Sequence, residues 1–151
     1  MTTLKVGEKF PEIEGESTSG EMGLKSFAGK NVVVYFYPKD NTPGCTKEAK
    51  DFRDYKGEFD KLNTEIVGIS TDSMKSHEKF AEKYDLNFTL LSDRSKALCR
   101  SCGVVGLTGA TAKRTTFLLD GEGKIRNIWE NVSVKGHAED VLSKIRELEL
   151  S

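Results

Sequence analysis

Three cysteines hold most of the chemistry open to this chain, and one of them is placed to react. Cys45 closes the run Tyr37-Pro38-Lys39-Asp40-Asn41-Thr42-Pro43-Gly44-Cys45. Thr42 followed by Pro43 marks a helix start: threonine is favoured at the N-cap, and proline at the first helical position, where its missing N–H costs nothing. Cys45 then falls in the first turn. Free backbone N–H groups and the positive end of the helix dipole favour a thiolate there, and the thiolate is the nucleophile. A lone cysteine is more often a small buried hydrophobe, but that reading leaves the helix-start placement unexplained. Cys99 and Cys102 lie in KALCRSCG, residues 96–103, at the end of a short predicted helix. The negative end of the dipole makes them poor thiolates. His77 and His137 are expected at the surface with no third or fourth metal ligand near either, so neither a metal nor a cofactor is expected.

A reactive Cys45 needs a strand before it and a helix after it. Residues 32–37 (VVVYFY) form a continuous β-branched and aromatic run, the signature of a buried strand. Pro38 stops it for want of an N–H. A helix over about 43–62 follows, with Ala49, Phe52, Tyr55, Phe59 and Leu62 at helical spacing and a bend near Gly57. Residues 12–23 read as a polar hairpin or loop, and 24–27 as a short helical turn. Further strands are expected at 65–70 and 88–91. Helices are expected at 73–84 and at 93–101, the latter capped by Ser92 and ended near Gly103. Residues 115–119 and 124–129 flank Asp120-Gly121-Glu122-Gly123, a hairpin turn. A last helix covers about 137–149, with Val141, Leu142, Ile145 and Leu148 on its inner face. The alternation predicts an α/β fold: a central mixed sheet with helices on both faces.

Composition narrows the possibilities. A length of 151 residues suits one domain, 1–151, with a substantial core. Charged residues make up 31% and hydrophobic ones 36%, a globular balance, and the formal net charge of −1 gives no reason to expect nucleic acid. No apolar run reaches membrane-spanning length, and the N-terminus has no apolar signal-peptide region. An odd, low cysteine count argues against a secreted disulfide scaffold and for a reducing, cytoplasmic setting.

Pro38, Thr42 and Cys45 match the PxxxTxxC pattern of peroxiredoxins. The string TPGCTKEA (42–49) resembles the bacterioferritin-comigratory-protein, or PrxQ, subgroup. So do YFYPK (35–39), GIST (68–71), NFTLLSD (87–93) and RTTFLLD-GEGKI (114–125). The blocks span nearly the whole chain in order. The resemblance implies a thioredoxin-like fold and thiol-dependent reduction of hydrogen peroxide and organic hydroperoxides, in antioxidant defence. It implies a thioredoxin-like or other thiol reductant and a monomer or weak dimer. Cys45 would attack the terminal peroxide oxygen and become a sulfenic acid. Thr42 would hydrogen-bond the peroxide, and Gly44 would leave room for close approach. Pro38 would wall the sulfur from water, and Arg114 would favour the thiolate and hold the peroxide. Glu48, one turn after Cys45, matches the glutamate that helps orient the site; the helix dipole alone could also account for it.

How the sulfenic acid is resolved stays open. Many PrxQ-like chains carry a second cysteine five residues after the first, and here Lys50 stands there; another subgroup places it in the next helix, and 73–84 contains none. An external thiol could resolve Cys45. Cys99 or Cys102 could form a disulfide with it, or with each other. Both could be passengers at a helix end. Residues at i and i+3 of an intact helix have Cβ atoms about 5–6 Å apart, against about 3.8 Å in a disulfide, so a 99–102 bridge requires the last turn to change shape. Two other functions remain: a dithiol-disulfide oxidoreductase using Cys99 and Cys102, and a non-catalytic binding or chaperone module on the same fold.

Overall fold

The computed structural model describes residues 2–22 and 27–150. Within them the chain runs β1 (Gly15–Ser17), β2 (Gly20–Met22), β3 (Asn31–Phe36), α1 (Pro43–Asp54), α2 (Lys56–Lys61), β4 (Thr64–Ser70), α3 (Met74–Lys83), β5 (Thr89–Ser92), α4 (Ala97–Cys102), β6 (Thr115–Leu119), β7 (Ile125–Trp129) and α5 (His137–Glu147). The strands form one sheet in the order β2-β1-β5-β4-β3-β6-β7. β3, β4 and β5 are mutually parallel, each joined to the next by helices, and β6 runs antiparallel beside β3. Residues 15–22, within the segment read as a polar hairpin or loop, form an antiparallel hairpin. The short turn expected at 24–27 falls largely on residues outside those described.

Alternation along β3 divides the core in two. Val32, Val34 and Phe36 point to one face, where they meet Phe10, Phe117 and the α4 side chains. Val33, Tyr35 and the following Tyr37 point to the other, packed against α1, α2, α3 and α5. The period-two geometry of a strand makes this division, and burial on both faces explains why the run is apolar throughout. Helices do cover both faces, as the element order implied.

Two local expectations are corrected. The helix after Cys45 breaks at Tyr55 (φ −95°, ψ 4°), which caps the end of α1 and the start of α2; Gly57 lies inside α2. Tyr55 and the adjacent residues turn the chain so that Phe52 and Phe59 both reach the core, with rings 5.8 Å apart. Ser92 does not cap α4: it belongs to β5, and its hydroxyl donates to the Asp72 carbonyl. The Asp93 carboxylate instead accepts from the Leu98 and Cys99 N–H groups. Gly103 ends α4 in the left-handed region (φ 66°), as its type suggests.

Candidate active site

Cys45 lies in the first turn of α1, 1% exposed. Thr42 takes the extended N-cap backbone (φ −97°, ψ 156°), and its carbonyl accepts the first helical bond, from Thr46 N–H at 2.8 Å. Its hydroxyl does not cap the helix. It donates to the Lys39 carbonyl at 2.8 Å, which commits the proton and leaves the oxygen lone pairs free to accept. Pro38, half-buried, follows directly after Tyr37 at the end of the β3 run.

Arg114 reaches the site through strand register. Phe36 of β3 pairs with Thr115 of β6, so the residue before β6 lies at the end of β3, where the chain leaves for α1. Arg114 Nη2 donates toward Cys45 Sγ at 3.4 Å, and Nη1 donates to Glu48 Oε1 at 2.8 Å. Gly44 makes room for this cation: a Cβ there would lie 3.1 Å from Nη2. That is a more definite reason for glycine than space for the substrate. Glu48, one turn on and on the same helix face, is 1% exposed. Burial pushes its carboxyl up to about 7, against the opposing pull of Arg114 and with a small contribution from Asp51. Arg114 itself is held above its ordinary value: burial works against the charge, and Glu48 and Cys45 more than offset it.

Thr42, Cys45, Glu48 and Arg114 are therefore brought together. Cys99 and Cys102 are not. Both are buried in the cluster on the opposite side of the sheet from Cys45. Burial, with the Asp93 carboxylate beside it, pushes the Cys99 thiol far up, and burial pushes Cys102 up to about 12. Lys50, in place of the nearest alternative thiol, is exposed.

The two histidines correct the sequence reading, since both are buried. His77 Nδ1 lies 2.7 Å from Asp40 Oδ2, and Nε2 lies 3.0 Å from the Leu91 carbonyl. The Tyr37 hydroxyl donates to Asp40 Oδ1 at 2.6 Å and Ser76 Oγ to Oδ2 at 2.8 Å, while Asp72 accepts from the Asp40 N–H. Asp40, Asp72 and His77 do offer three potential metal donors within 4.8 Å of one another. Both ring nitrogens and both carboxylates already have protein partners, so the cluster acts as a tie between the loop carrying Thr42 and α3. His137 accepts or donates at Nε2 to Thr116 Oγ1, 2.8 Å away, with Phe52 and Trp129 edge-on to its ring. Burial lowers its value to about 4; Asp140 opposes this and Arg114 adds to it. Helical spacing could have placed both inside: His77 precedes Phe80, Ala81 and Tyr84 by three, four and seven residues, and His137 precedes Val141 by four.

Comparison with known proteins finds relatives over nearly the whole chain. The AhpC/TSA family model matches residues 6–128. The putative peroxiredoxin bcp of Coxiella burnetii is 43% identical over 150 residues, covering 95% of this chain and 99% of that one. Peroxiredoxin Bcp of Bacillus subtilis is 40% identical over 153 residues, covering 97% and 98%. Among solved structures, Xanthomonas campestris peroxiredoxin Q superposes with a TM-score of 0.86 at 39% identity, over 97% of each chain. A cysteine-to-serine variant of Xylella fastidiosa PrxQ gives 0.92 at 30% identity, over 99% of each. The thioredoxin-like fold implied by the sequence is thus shared with these structures, and the chain belongs to the AhpC/TSA family, as a peroxiredoxin of the bacterioferritin-comigratory-protein, or PrxQ, subgroup.

Proposed function

We propose that Cys45 is the peroxidatic residue of this thiol-dependent peroxidase, acting on hydrogen peroxide and organic hydroperoxides. The observation that carries the reading is the Arg114 guanidinium 3.4 Å from Cys45 Sγ at a helix N-terminus. Both the cation and the dipole favour a thiolate. The sulfur attacks the terminal peroxide oxygen. An S–O bond forms, the O–O bond breaks, and the departing oxygen leaves as hydroxide or alkoxide and is protonated. Arg114 stabilises the charge that develops between the oxygens. Thr42, its own proton held by Lys39, accepts a hydrogen bond from the peroxide O–H and orients it. Pro38 screens the approach from water. Support for organic substrates comes from the Xanthomonas campestris bacterioferritin comigratory protein, known for alkyl peroxide reduction.

We read the second half of the cycle as resolution of Cys45 by an external thiol, from a thioredoxin-like protein or another reductant. The placement of Cys99 and Cys102 across the sheet supports this, as does exposed Lys50 at the position of a nearer thiol. The same placement argues against the dithiol oxidoreductase built on those two residues, because buried thiols held protonated attack disulfides slowly. Since Cys45 is 1% exposed, the first turn of α1 must open for an outside thiol to reach it. Three free cysteines suit a reducing, cytoplasmic setting, and a net charge of −1 suits a protein with no nucleic-acid partner. No described helix is long and apolar enough to cross a membrane. The whole chain, 1–151, would act as one thioredoxin-like domain, as a monomer or weak dimer.

Peroxide consumption with a thiol reductant, compared between wild type and Cys45→Ser, tests the central assignment: the variant should consume none. Mass mapping of peroxide-treated protein tests resolution. Oxidation confined to Cys45 is expected, and a 45–99, 45–102 or 99–102 linkage would overturn the external-thiol cycle.

A further inference from the structure

One guanidinium serves two acids at the centre of the site. Arg114 Nη2 faces Cys45 Sγ and Nη1 faces Glu48 Oε1. The second carboxyl oxygen of Glu48, Oε2, is buried and has no hydrogen-bond partner among the described residues. Leaving a full charge on a buried, half-satisfied carboxylate costs far more than leaving a neutral hydroxyl there. The other groups facing this carboxyl offer no further positive charge. Asp51, one turn along α1, repels it. Tyr35, from β3, has a buried hydroxyl with no partner of its own and is held neutral by burial. His137, at the start of α5, feels the Arg114 charge but not that of Glu48, and is held neutral by burial.

Resting on the peroxidase reading above, we propose that Glu48 is the protonated member of the pair in the reactive state, and that it gives up its proton when Cys45 is oxidised. Before reaction, the Cys45 thiolate takes the Arg114 charge and Glu48 is a carboxylic acid. The thiolate attacks the terminal oxygen of ROOH. The S–O bond forms, the O–O bond breaks, and RO⁻ leaves with the bonding pair. Cys45 is oxidised by two electrons and the peroxide is reduced. The sulfenic acid is neutral, so Arg114 has lost its anion on the Nη2 side. Glu48 then ionises against Nη1, and its proton balances RO⁻ as ROH. No net proton comes from solvent. The raised carboxyl value, about 7, is in keeping with a group poised between the two states. Glu48 thereby acts as the proton store of the site, a role beyond orienting Arg114.

Proton counting tests this. Reduced wild type and Glu48→Gln are each mixed with one equivalent of hydrogen peroxide in weak, near-neutral buffer containing a pH indicator. Peroxide loss is followed in the same experiment. The amide in the variant cannot release a proton, so the variant should take up one more proton per oxidised Cys45 than wild type does. Equal uptake in the two proteins would overturn the proposal while leaving the peroxidase reading intact. Absence of peroxide loss in wild type would instead overturn that reading. A second measurement needs no variant: capping Cys45 with a neutral alkyl group should remove a carboxylic-acid band from the infrared spectrum of wild type. An unchanged band would also overturn the proposal.

Discussion

The two faces of the sheet each bury cysteine, and they treat it in opposite ways. Cys45, Cys99 and Cys102 are all 1% exposed or less, so burial does not distinguish them. The partners do. Cys45 opens a helix and faces the Arg114 cation. Cys102 closes α4 and Cys99 stands in its first turn, where the Asp93 carboxylate that accepts from the Cys99 N–H lies in the place where a cation would be needed. The charge that meets each sulfur favours the thiolate on the first face and the thiol on the second. On the proposed reading, the sign of the charge brought to a buried cysteine separates the reactive one from the inert ones. In this fold the loop at the end of β3 receives the positive sign, from Arg114, and the start of α4 the negative one, from Asp93.

Removing the cation should break the contrast most. Arg114→Ala should lower the second-order rate constant for peroxide reduction by about 10²–10³-fold, comparable to loss of a transition-state donor in other enzymes. Stopped-flow kinetics on folded variant would show it, and a loss of less than threefold would mean the two faces do not differ through Arg114. The next effect is on stability. Glu48 is raised from its ordinary 4.5 to about 7, so the folded protein binds the proton more tightly than the unfolded chain. Its contribution is full below the unfolded value and is lost as pH rises through about 7, up to about 3 kcal/mol in all. His137, lowered from 6.5 to about 4, works in the opposite direction, with stability lost as pH falls through that window. Urea midpoints of Glu48→Gln should therefore climb between about pH 4.5 and 6.5 where wild type stays flatter. A parallel pair of curves would show that Glu48 ionises in the folded state as it does in the unfolded chain.

Thr42→Val removes the acceptor without removing the helix start. It should slow peroxide reduction by about 10–100-fold, the worth of one hydrogen bond that orients the substrate. An unaffected rate would confine Thr42 to a structural role. The smallest effect belongs to the other face. Cys99→Ala with Cys102→Ala should leave the peroxide rate within about twofold, while costing about 1–3 kcal/mol of stability from lost packing. Turnover with a small external thiol measures the first quantity and urea unfolding the second. A large loss of turnover would erase the contrast between the faces.

Much of the site was legible because its features are short-range. Thr42, Pro43 and Cys45 span one helical turn, and the Val32–Tyr37 pattern announces the strand that feeds it. Other features were hidden by competing local signals. Gly57 looked like the helix break, but core packing of Phe52 and Phe59 placed the bend at Tyr55. Ser92 looked like a cap, but the parallel pairing of Ser70 with Ser92 drew it into the sheet. The histidines looked like surface polar residues, because their partners, Asp40 and Thr116, lie 37 and 21 residues away.

The sequence by itself determined that Cys45 stands in the first turn of a helix, since helix initiation depends on residues within one turn of each other. Tertiary structure decided which charge meets that cysteine. Arg114 is 69 residues from Cys45 and arrives through the antiparallel register of β3 and β6. It also decided that Cys99 and Cys102 lie beyond the sheet. No local pattern encodes which side of a sheet a helix packs on, because that choice is made by the burial of both faces at once.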